Sequence, residues 1–529
     1  MDKYLLRHRL TWIFSRRWML KSIRLSLFAH RKYHIHRYMS TYESLSREEL
    51  IARLKELEST TSNPQSPTKI KPNELPKKKK PKKEAKAFNF AAFPRRKIAL
   101  RFCYHGWEYN GLAVQSEPTP LPTVEEVLFD ALCESRLIER EKGFEGCDWS
   151  RCGRTDRGVS AAGQVVALWV RSAIQPPLEA DKGAVPTEEE SVAVDGELKE
   201  GGSPPKSGII PAQQELRYVL ILNRVLPPSI RVLAWSPVSD DFSARFNCRR
   251  RHYKYFFNSL PPPSPPLDLD RLQDAASRLV GEHDFRNFCK LDGSKQIERY
   301  DRRIDKAEIS VLRKGDTIRD GTVCLGDSYV LDLVGSAFLW HQVRHIMAIL
   351  LLIGHGLEQP SVIDALLNTN PGKPHPDSSI PLVPARPIYE MADGLPLILW
   401  DCGFDETDVR WRAEDPSTDE GYAASASGFL WQQIHGEYSR SLVRTALHQH
   451  FLEVASLYHS PPTDTRGTAH VNIGGGQSRH TKKYVPLLKR KRGDTAEVVN
   501  ERWRNGARAA KKAVKFLKIE EEDPELGTR

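Results

Sequence analysis

The most informative stretch of this chain reads Arg151-Cys-Gly-Arg-Thr-Asp-Arg-Gly-Val-Ser160. It places one carboxylate, that of Asp156, between the guanidinium groups of Arg154 and Arg157. Gly153 and Gly158 bracket these residues, and glycine accepts backbone angles that other residues avoid, so a sharp loop with outward side chains is predicted. Flanking cations favour the ionised carboxylate. Such a loop suits a nucleophile or base that works on a phosphate-rich ligand gripped by the two arginines.

Taken alone, a carboxylate between two arginines is often an exposed ion pair that contributes little to folding stability. Four further stretches change this interpretation: Tyr104-His-Gly-Trp-Glu-Tyr-Asn-Gly-Leu-Ala-Val-Gln115, Asp241-Phe-Ser-Ala-Arg-Phe-Asn-Cys-Arg-Arg-Arg-His-Tyr-Lys-Tyr255, His283-Asp-Phe-Arg-Asn-Phe288 and Ser336-Ala-Phe-Leu-Trp-His-Gln-Val-Arg-His345. Together with the loop, they resemble the motifs of the TruA-type tRNA pseudouridine synthases in the same order. Five ordered matches are far more specific than any single one.

The resemblance implies a role for each candidate site residue. Asp156 matches the catalytic nucleophile, and Arg154 matches the residue that helps open the substrate stack and hold the displaced nucleotide. Tyr253 matches a tyrosine that packs against the target base, and Arg344 matches an arginine that pairs with the catalytic carboxylate. Arg157 is added as a substrate contact from the loop itself. The implied reaction is an isomerisation, so no cofactor and no metal are expected.

The residues around the aspartate favour one branch of this family. Bacterial members usually follow the aspartate with Ala-Gly-Val-His, whereas this chain has Arg-Gly-Val-Ser at 157–160. That form, preceded by Cys152 and Gly153, resembles the eukaryotic branch that acts on the anticodon stem-loop at tRNA positions 38 and 39. A second eukaryotic branch, which acts at positions 27 and 28, tends to carry Ala-Ala in place of Cys152-Gly153 and stays open as the alternative.

The fold implied by the resemblance is an α+β pseudouridine synthase fold. It consists of an antiparallel sheet flanked by helices, made of two similar halves around a basic cleft, with disordered basic tails. Bacterial relatives hold one tRNA across two subunits, so a homodimer is expected. Residue spacing alone supports only a mixed α/β assignment.

Composition agrees with a polyanionic partner. The 529 residues are enough for one large or two ordinary domains with tails, and the net charge of +11 suits nucleic acid. Charge alone does not distinguish RNA, DNA and an anionic membrane. The eight cysteines form no Cys-x-x-Cys pair and no zinc-type Cys/His spacing. They are predicted to be reduced thiols, with neither a disulfide framework nor a metal site.

Composition also predicts the domain organisation. A stretch at about 176–208, rich in Pro, Gly and Glu, is predicted to be a disordered insertion. The predicted segments are a basic extension over 1–38, a short helix with a Lys-rich linker over 39–95, the two halves of the catalytic domain over 96–255 and 256–412, and a helical, basic extension over 413–529.

The N-terminal segments bear on localisation. Residues 1–38 are basic and amphipathic, as a mitochondrial presequence is, although Met39 offers an alternative start. A capping box of Ser46 and Glu49 predicts a helix at 44–58. The lysines at 77–83 suit a nuclear import signal, a phosphate-binding arm or a solvated linker. Nucleus and cytoplasm are expected, with the mitochondrion if the extension is a presequence, and no membrane.

Hydrophobic patterns place the motifs on secondary structure. Strands are predicted at 97–104 and 164–170, and the capping box of Thr123 and Glu126 predicts an amphipathic helix. The signature loop then connects packed elements. Helices are also predicted near 268–280, at 338–353 with Gly354 as the stop, at 435–457 as one helix or two, and at 498–518.

Some candidate residues have simpler interpretations. Arg344 lies in an apolar predicted helix, so its guanidinium needs a carboxylate partner. Without the family resemblance, this pair would be interpreted as a structural ion pair. Tyr253 would be core filling with its hydroxyl at the surface. His283 and Asp284 are predicted to mark a helix start or a loop rather than acid–base catalysis, because no serine or cysteine nucleophile motif accompanies them.

The function that the sequence favours is isomerisation of uridine to pseudouridine in tRNA. Two alternatives from other classes stay open. A catalytically silent tRNA-binding protein on the same scaffold would not need the set of Arg154, Asp156, Tyr253 and Arg344. A metal-dependent nuclease would need acidic clusters, and the sequence shows none.

Overall fold

The computed structural model describes residues 88–174, 215–259, 267–313, 327–413, 420–459 and 469–506. The predicted basic extension, the helix at 44–58, the Lys-rich linker and the insertion at about 176–208 lie outside the described residues. So does the predicted basic helix beyond residue 506.

A nine-stranded sheet lies at the centre of the described residues. Its strands are β1 (Arg95–Tyr104), β2 (Ser150–Arg151), β3 (Ser160–Arg171), β4 (Ile230–Pro237), β5 (Arg250–Asn258), β6 (Gly281–Asp284), β7 (Asp301–Arg313), β8 (Ser328–Gly335) and β9 (Leu397–Gly403). Their order across the sheet is β4-β1-β3-β9-β5-β8-β7-β6, and β2 also pairs with β3.

The sheet is mixed, so the prediction of a purely antiparallel sheet was wrong at one place. β9 pairs in parallel with β3, with Ser160 opposite Ile398, and antiparallel with β5. The reason is topological. Strands β3 and β5 run in opposite directions, and β9, the last of the nine along the chain, is inserted between them. A strand between two oppositely directed neighbours must be parallel to one of them.

Seven helices are described in the resolved ranges given above. They are α1 (Val124–Glu134), α2 (Tyr218–Val225), α3 (Leu269–Ser277), α4 (Gln342–Gly354), α5 (Val362–Leu367), α6 (Glu420–Ser456) and α7 (Ala496–Arg504). A separate hairpin consists of β10 (Ala469–Gly474) and β11 (Gln477–Thr481). The sheet and the helices confirm the α+β assignment.

The predicted start of α1 is confirmed at atomic detail. The backbone N–H of Thr123 donates to the Glu126 carboxylate at 2.7 Å, and the backbone N–H of Glu126 donates to the Thr123 hydroxyl at 3.3 Å. These two bonds satisfy donors that a helix start leaves free. The helix then buries Val124, Leu128 and Leu132. The strand predictions at 97–104 and 164–170 and the helix predictions near 268–280 and at 338–353 are also confirmed.

Two hydrophobic clusters pack on the sheet. We call the cluster built on β1, β3, β4, α1 and α2 the first core, and the cluster built on β5, β7, β8, α3, α4 and α5 the second core. The loop between β2 and β3 joins them, because Cys152 belongs to the first core and Val159 to the second. Tyr253 on β5 packs against both. The stretch around Asp156 therefore lies where the two cores meet.

His283 and Asp284 do not begin a helix, and the prediction made for them was wrong. They lie in the edge strand β6, where His283 is opposite Arg302 of β7. The Asp284 carboxylate instead accepts the Arg286 backbone N–H at 2.9 Å and pairs with the Arg286 guanidinium at 2.8 Å. Ladder pairing to β7 outweighs the local turn-forming tendency of these polar residues.

The C-terminal elements resolve one open prediction. Residues 435–456 belong to one helix, α6, which begins at Glu420 and ends at Ser456, and Leu457 lies in the turn that follows it. The predicted basic helix begins at Ala496 and, as α7, ends at Arg504. Within the described residues, no helix has the length and apolar content that a membrane crossing requires.

Candidate active site

The loop between β2 and β3 is fixed along its length. The backbone N–H of Cys152 donates to a β3 carbonyl at 2.9 Å, and the Gln164 side chain donates to the carbonyl of Gly153 at 3.0 Å. At the far end the Val159 N–H donates to the carbonyl of Asp156 at 3.1 Å. These bonds close a tight turn around Asp156.

The segment that follows β1 supports the loop from behind. The hydroxyls of Tyr104 and Thr155 share a buried hydrogen bond at 2.7 Å. The Leu112 N–H donates to the Thr155 carbonyl at 3.2 Å. Gly111 has a φ of +91°, and a Cβ at this position would lie 2.9 Å from the Thr155 carbonyl oxygen. Only glycine permits both the backbone angle and this close approach.

Asp156 is partly exposed, at 25% of its side chain, and a histidine and an arginine face it. His341 Nε2 lies 3.3 Å from Oδ1, and Arg344 Nη1 lies 3.6 Å from Oδ2. Each carboxylate oxygen therefore has one partner, and both partners come from the start of α4 rather than from the loop's own arginines.

Helix α4 holds the Arg344 guanidinium in place. Twelve of the thirteen helical residues are buried, and Arg344 is the exception, with 15% of its side chain exposed. Its Nε donates to the carbonyl of Ala392 at 2.8 Å. Because that bond fixes one edge of the guanidinium, the other edge is directed toward Asp156.

His341 is a site residue that the sequence interpretation missed. It occupies the N-cap of α4 with a φ of +64°, in the left-handed region that non-glycine residues rarely adopt. The sequence signal for it is weak: His341 precedes Arg344 by three residues in the same motif, at the start of the predicted helix. Non-glycine residues in this region often lie at functional sites.

Tyr253 lies in the middle of β5, opposite Leu399 of β9 and Leu333 of β8. Its ring meets the ring of Phe338 edge to face, with 5.0 Å between centroids. Burial raises the pKa of the Tyr253 hydroxyl, so this side chain stays neutral at physiological pH. It presents an aromatic surface close to Asp156.

Arg154 and Arg157 lie apart from the carboxylate that separates them in sequence. Both side chains are exposed, and neither forms an ion pair with any carboxylate of the described residues. The turn directs neighbouring side chains to different sides, which is why the cations nearest to Asp156 come from α4 instead. Both arginines remain on the wall of the same cleft.

We define this cleft by the cavity that contains Asp156, with a volume of about 1140 Å³. Two carboxylates line it, those of Asp156 and Asp292. Its lysines and arginines are Arg151, Arg154, Arg157, Arg245, Arg251, Lys290, Lys295, Arg302 and Arg344. Two aromatic rings project at its opening, Phe246 with 79% and Trp340 with 44% exposed. Cations with exposed aromatic rings form a surface on which a single-stranded nucleic acid can bind and stack.

The arrangement has a definite chemical capability. A carboxylate held between an arginine and a histidine, on the wall of a wide cationic cleft, can act as nucleophile or base on a bound polyanion. Only one group of His, Cys, Asp or Glu side chains among the described residues has spacing suited to a metal ion, namely Cys152, Cys248 and Cys402. That group does not include Asp156.

Comparison with known proteins gives concordant matches. A family model described as tRNA pseudouridine synthase matches residues 275–405. The chain is 37% identical over 475 residues to the tRNA pseudouridine(38/39) synthase of Saccharomyces cerevisiae, which covers 88% of this chain and 92% of the yeast protein. It is 41% identical over 332 residues to the human protein of the same name, covering 62% of this chain and 59% of the human one. The tRNA pseudouridine synthase A of Methanosarcina mazei is 29% identical over 276 residues.

Proposed function

Because this chain belongs to the TruA-type family of tRNA pseudouridine synthases, we propose that it isomerises uridine to pseudouridine at positions 38 and 39 of tRNA. The observation that carries the proposal is the placement of Asp156 on a cationic cleft, with His341 against one carboxylate oxygen and Arg344 against the other. The yeast and human relatives that carry (38/39) in their names support the choice of positions.

The reaction balances without any added group. The bond between N1 of uracil and C1′ of ribose breaks, the uracil turns, and its C5 bonds to C1′. The C5 proton is released to water and N1 takes up a proton, so the product is an isomer of the substrate. Asp156 starts this sequence by attacking the ribose, attacking the base or removing a ribose proton. All three routes need an ionised carboxylate, and the permanently charged guanidinium of Arg344 lies 3.6 Å from it.

The neighbours of Asp156 have distinct tasks in this proposal. Arg344 holds one carboxylate oxygen in position, and its anchor on the Ala392 carbonyl supports this role. Tyr253 packs against the target uracil with its neutral ring. The edge-to-face contact with Phe338 fixes that ring, so a base has a rigid surface to lie on.

We propose that the cleft between two similar halves of the sheet binds the anticodon stem-loop. Nine lysines and arginines against two aspartates on the cleft wall support binding of a phosphate backbone. The target nucleotide must leave its stack, which costs a few kcal/mol. Arg154 takes part in this step and holds the displaced nucleotide, Arg157 contacts phosphate, and the exposed rings of Phe246 and Trp340 replace stacking that is lost.

We further propose that the protein is a homodimer. Helix α6 supports this, because many of its large apolar side chains are exposed and such a surface is costly to leave in water. These residues include Phe429, Trp431, Ile434, Tyr438, Leu442, Val443, Leu447, Phe451, Leu452 and Val454. Sedimentation of the full chain at micromolar concentration tests the proposal, and a monomer contradicts it.

The proposed localisation is nucleus and cytoplasm, with a mitochondrial fraction. The lysine run at 77–83 supports nuclear import, and the basic amphipathic stretch at 1–38 supports mitochondrial import. Imaging of the full chain and of a variant that starts at Met39 separates the two signals.

The activity is tested by release of tritium from tRNA that carries [5-³H]uridine, since C5 loses its hydrogen only if the new bond forms. Wild type and Asp156→Asn are assayed side by side, with tRNA cleavage followed on a gel. Release by wild type alone supports the proposal. Binding without release by either protein indicates a silent binding protein, and cleavage indicates a nuclease.

The site specificity needs a second experiment. Four tRNA transcripts are compared: one with uridine at 38, one with uridine at 39, one with both replaced by cytidine, and one with uridine at 27 and 28 only. Conversion confined to the first two supports the proposal. Conversion of the last transcript supports the alternative branch instead.

A further inference from the structure

Three cysteines that are far apart in sequence come together beside the active-site loop. Cys152 follows β2, Cys248 precedes β5, and Cys402 lies in β9. All three are buried, and their sulfur atoms lie within 4.8 Å of one another. Three sulfurs around tetrahedral zinc, each bonded at about 2.3 Å, lie about 3.8 Å apart. The cluster therefore reaches this geometry with shifts of about 1 Å or less.

A cation that has no carboxylate partner among the described residues lies next to the cluster. Arg251 is opposite Cys402 across β5 and β9 and is partly buried. Its guanidinium donates to four carbonyls, those of Cys248 at 3.2 Å, Ser336 at 2.6 Å, Cys152 at 3.1 Å and Arg245 at 3.0 Å. None of these described acceptors carries a charge. Negative charge on the sulfurs of the cluster would lie directly beside this guanidinium and balance it.

We propose that Cys152, Cys248 and Cys402 bind one Zn²⁺ ion. Three thiolates with one Zn²⁺ carry a net charge of −1, which balances the single charge of Arg251. A Cu⁺ ion in the same site would leave a charge of −2, so the arginine favours zinc. A disulfide would use two sulfurs and leave the third without a role. Cys152 and Arg251 also line the cleft, so a water molecule can supply the fourth ligand.

The ion has a positioning role for the active-site loop. Cys152 precedes Asp156 by four residues, and the other two ligands belong to β9 and to the entry of β5. The ion thereby ties the start of the loop to the middle of the sheet, close to Tyr253. It does not contact the substrate, and the proposal makes no assumption about the reaction.

The test measures zinc in the full-length protein purified without chelator. Elemental analysis is expected to find about one zinc per chain, and Cys248→Ser and Cys402→Ser are expected to retain less than about a tenth of it. Cys147→Ser is the matched control, because Cys147 is buried in the first core but lies outside the cluster. Asp156→Asn should keep the zinc while losing activity, which separates this proposal from the proposed function.

A second measurement, on the wild-type protein, keeps the proposal testable if the cysteine variants fail to fold. Wild-type protein in which Co²⁺ replaces zinc should show the intense thiolate-to-cobalt absorption and the visible bands of tetrahedral coordination. Wild type at or near zero zinc after reconstitution, or a Cys402→Ser variant that is folded and keeps its zinc, overturns the proposal. Copper in place of zinc, or a disulfide between two of the three cysteines, overturns it as well.

Discussion

The inner wall of the cleft and its rim are built on opposite principles. On the inner wall, Asp156 and Arg344 are largely enclosed and each has a fixed partner. On the rim, Arg154, Phe246 and Trp340 are exposed; Arg245 lies over the Phe246 ring at 5.3 Å, and Lys290 lies over the Trp340 ring at 4.4 Å. Both regions belong to one cleft and are rich in the same residue types. They differ in how far their side chains are exposed.

That difference follows from what each region has to do. A group that reacts must be held in position before the substrate arrives, because misplacement of about 1 Å lowers rates steeply. A group that receives an everted nucleotide must adapt to RNA, and a long exposed side chain does so at little structural cost. The comparison therefore predicts that substitutions on the inner wall lower kcat, whereas substitutions on the rim raise KM.

The largest effect is expected for Asp156→Asn. The amide keeps the size of the side chain but is neither a nucleophile nor a base, so kcat should fall about 10³-fold or more. Tritium release from [5-³H]uridine tRNA measures kcat, and filter binding shows that tRNA affinity is kept within about threefold. A variant with more than about a tenth of wild-type kcat would contradict the assignment of Asp156.

The next effect is expected for Arg344. In Arg344→Lys, one amine cannot both donate to the Ala392 carbonyl and reach Asp156, so kcat should fall about 10²-fold. Arg344→Ala should be no better. Arg303→Ala is the control, since Arg303 is an exposed arginine on β7 paired with Asp305. Equal loss of tRNA affinity in both Arg344 variants, with kcat unchanged, would place Arg344 with the rim.

Sequence reasoning reached the inner wall because its residues lie in compact motifs. The loop at 151–160 and the helix start at 336–345 each carry local signals: glycines, a charged group in an apolar run, and a stop at Gly354. Sequence reasoning identified only one of the two partners of Asp156. Arg344 came from the family resemblance, while His341 was passed over although it lies in the same motif, because a left-handed N-cap has no reliable residue signature.

The remaining features depend on pairings between distant segments. The parallel pair of β3 and β9 depends on the order in which strands enter the sheet, which local periodicity does not contain. The cluster of Cys152, Cys248 and Cys402 shows no metal-type spacing for the same reason, because its members meet only when three strands pair. The sequence pattern therefore predicted the helices and strands well, but it predicted poorly which of them lie next to each other.

The pH dependence of the free energy of unfolding provides a further test of the comparison. His345, one residue after Arg344, is buried, and burial together with the charge of Arg386 lowers its pKa to about 2. The unfolded chain binds a proton at this histidine near pH 6.5, whereas the folded chain does not. The unfolded state therefore holds more protons below pH 6.5, and stability falls as the pH falls, by about 2 kcal/mol at pH 5.

The measurement is urea unfolding at pH 7 and pH 5 for wild type and His345→Gln. Glutamine retains an acceptor for Arg386, whose Nη1 lies 2.6 Å from His345 Nε2, but it does not titrate. The variant should lose less stability between the two pH values than wild type does. Equal losses would mean that other groups account for the acid sensitivity of the inner wall.

The smallest effect is expected on the rim. Phe246→Ala removes one exposed ring, and stacking of a base on such a ring contributes about 1–3 kcal/mol, so KM for tRNA should rise about tenfold. The kcat should stay within about twofold of the wild-type value, and the free energy of unfolding should stay close to that of wild type, because Phe246 supports no part of the inner wall. Leu312→Ala is the control, as Leu312 is an exposed apolar residue on β7 outside the cleft. If Phe246→Ala instead lowers kcat as strongly as Arg344→Lys does, the ring acts on a step after tRNA binding. The distinction between a fixed inner wall and an adaptable rim would then not hold for Phe246.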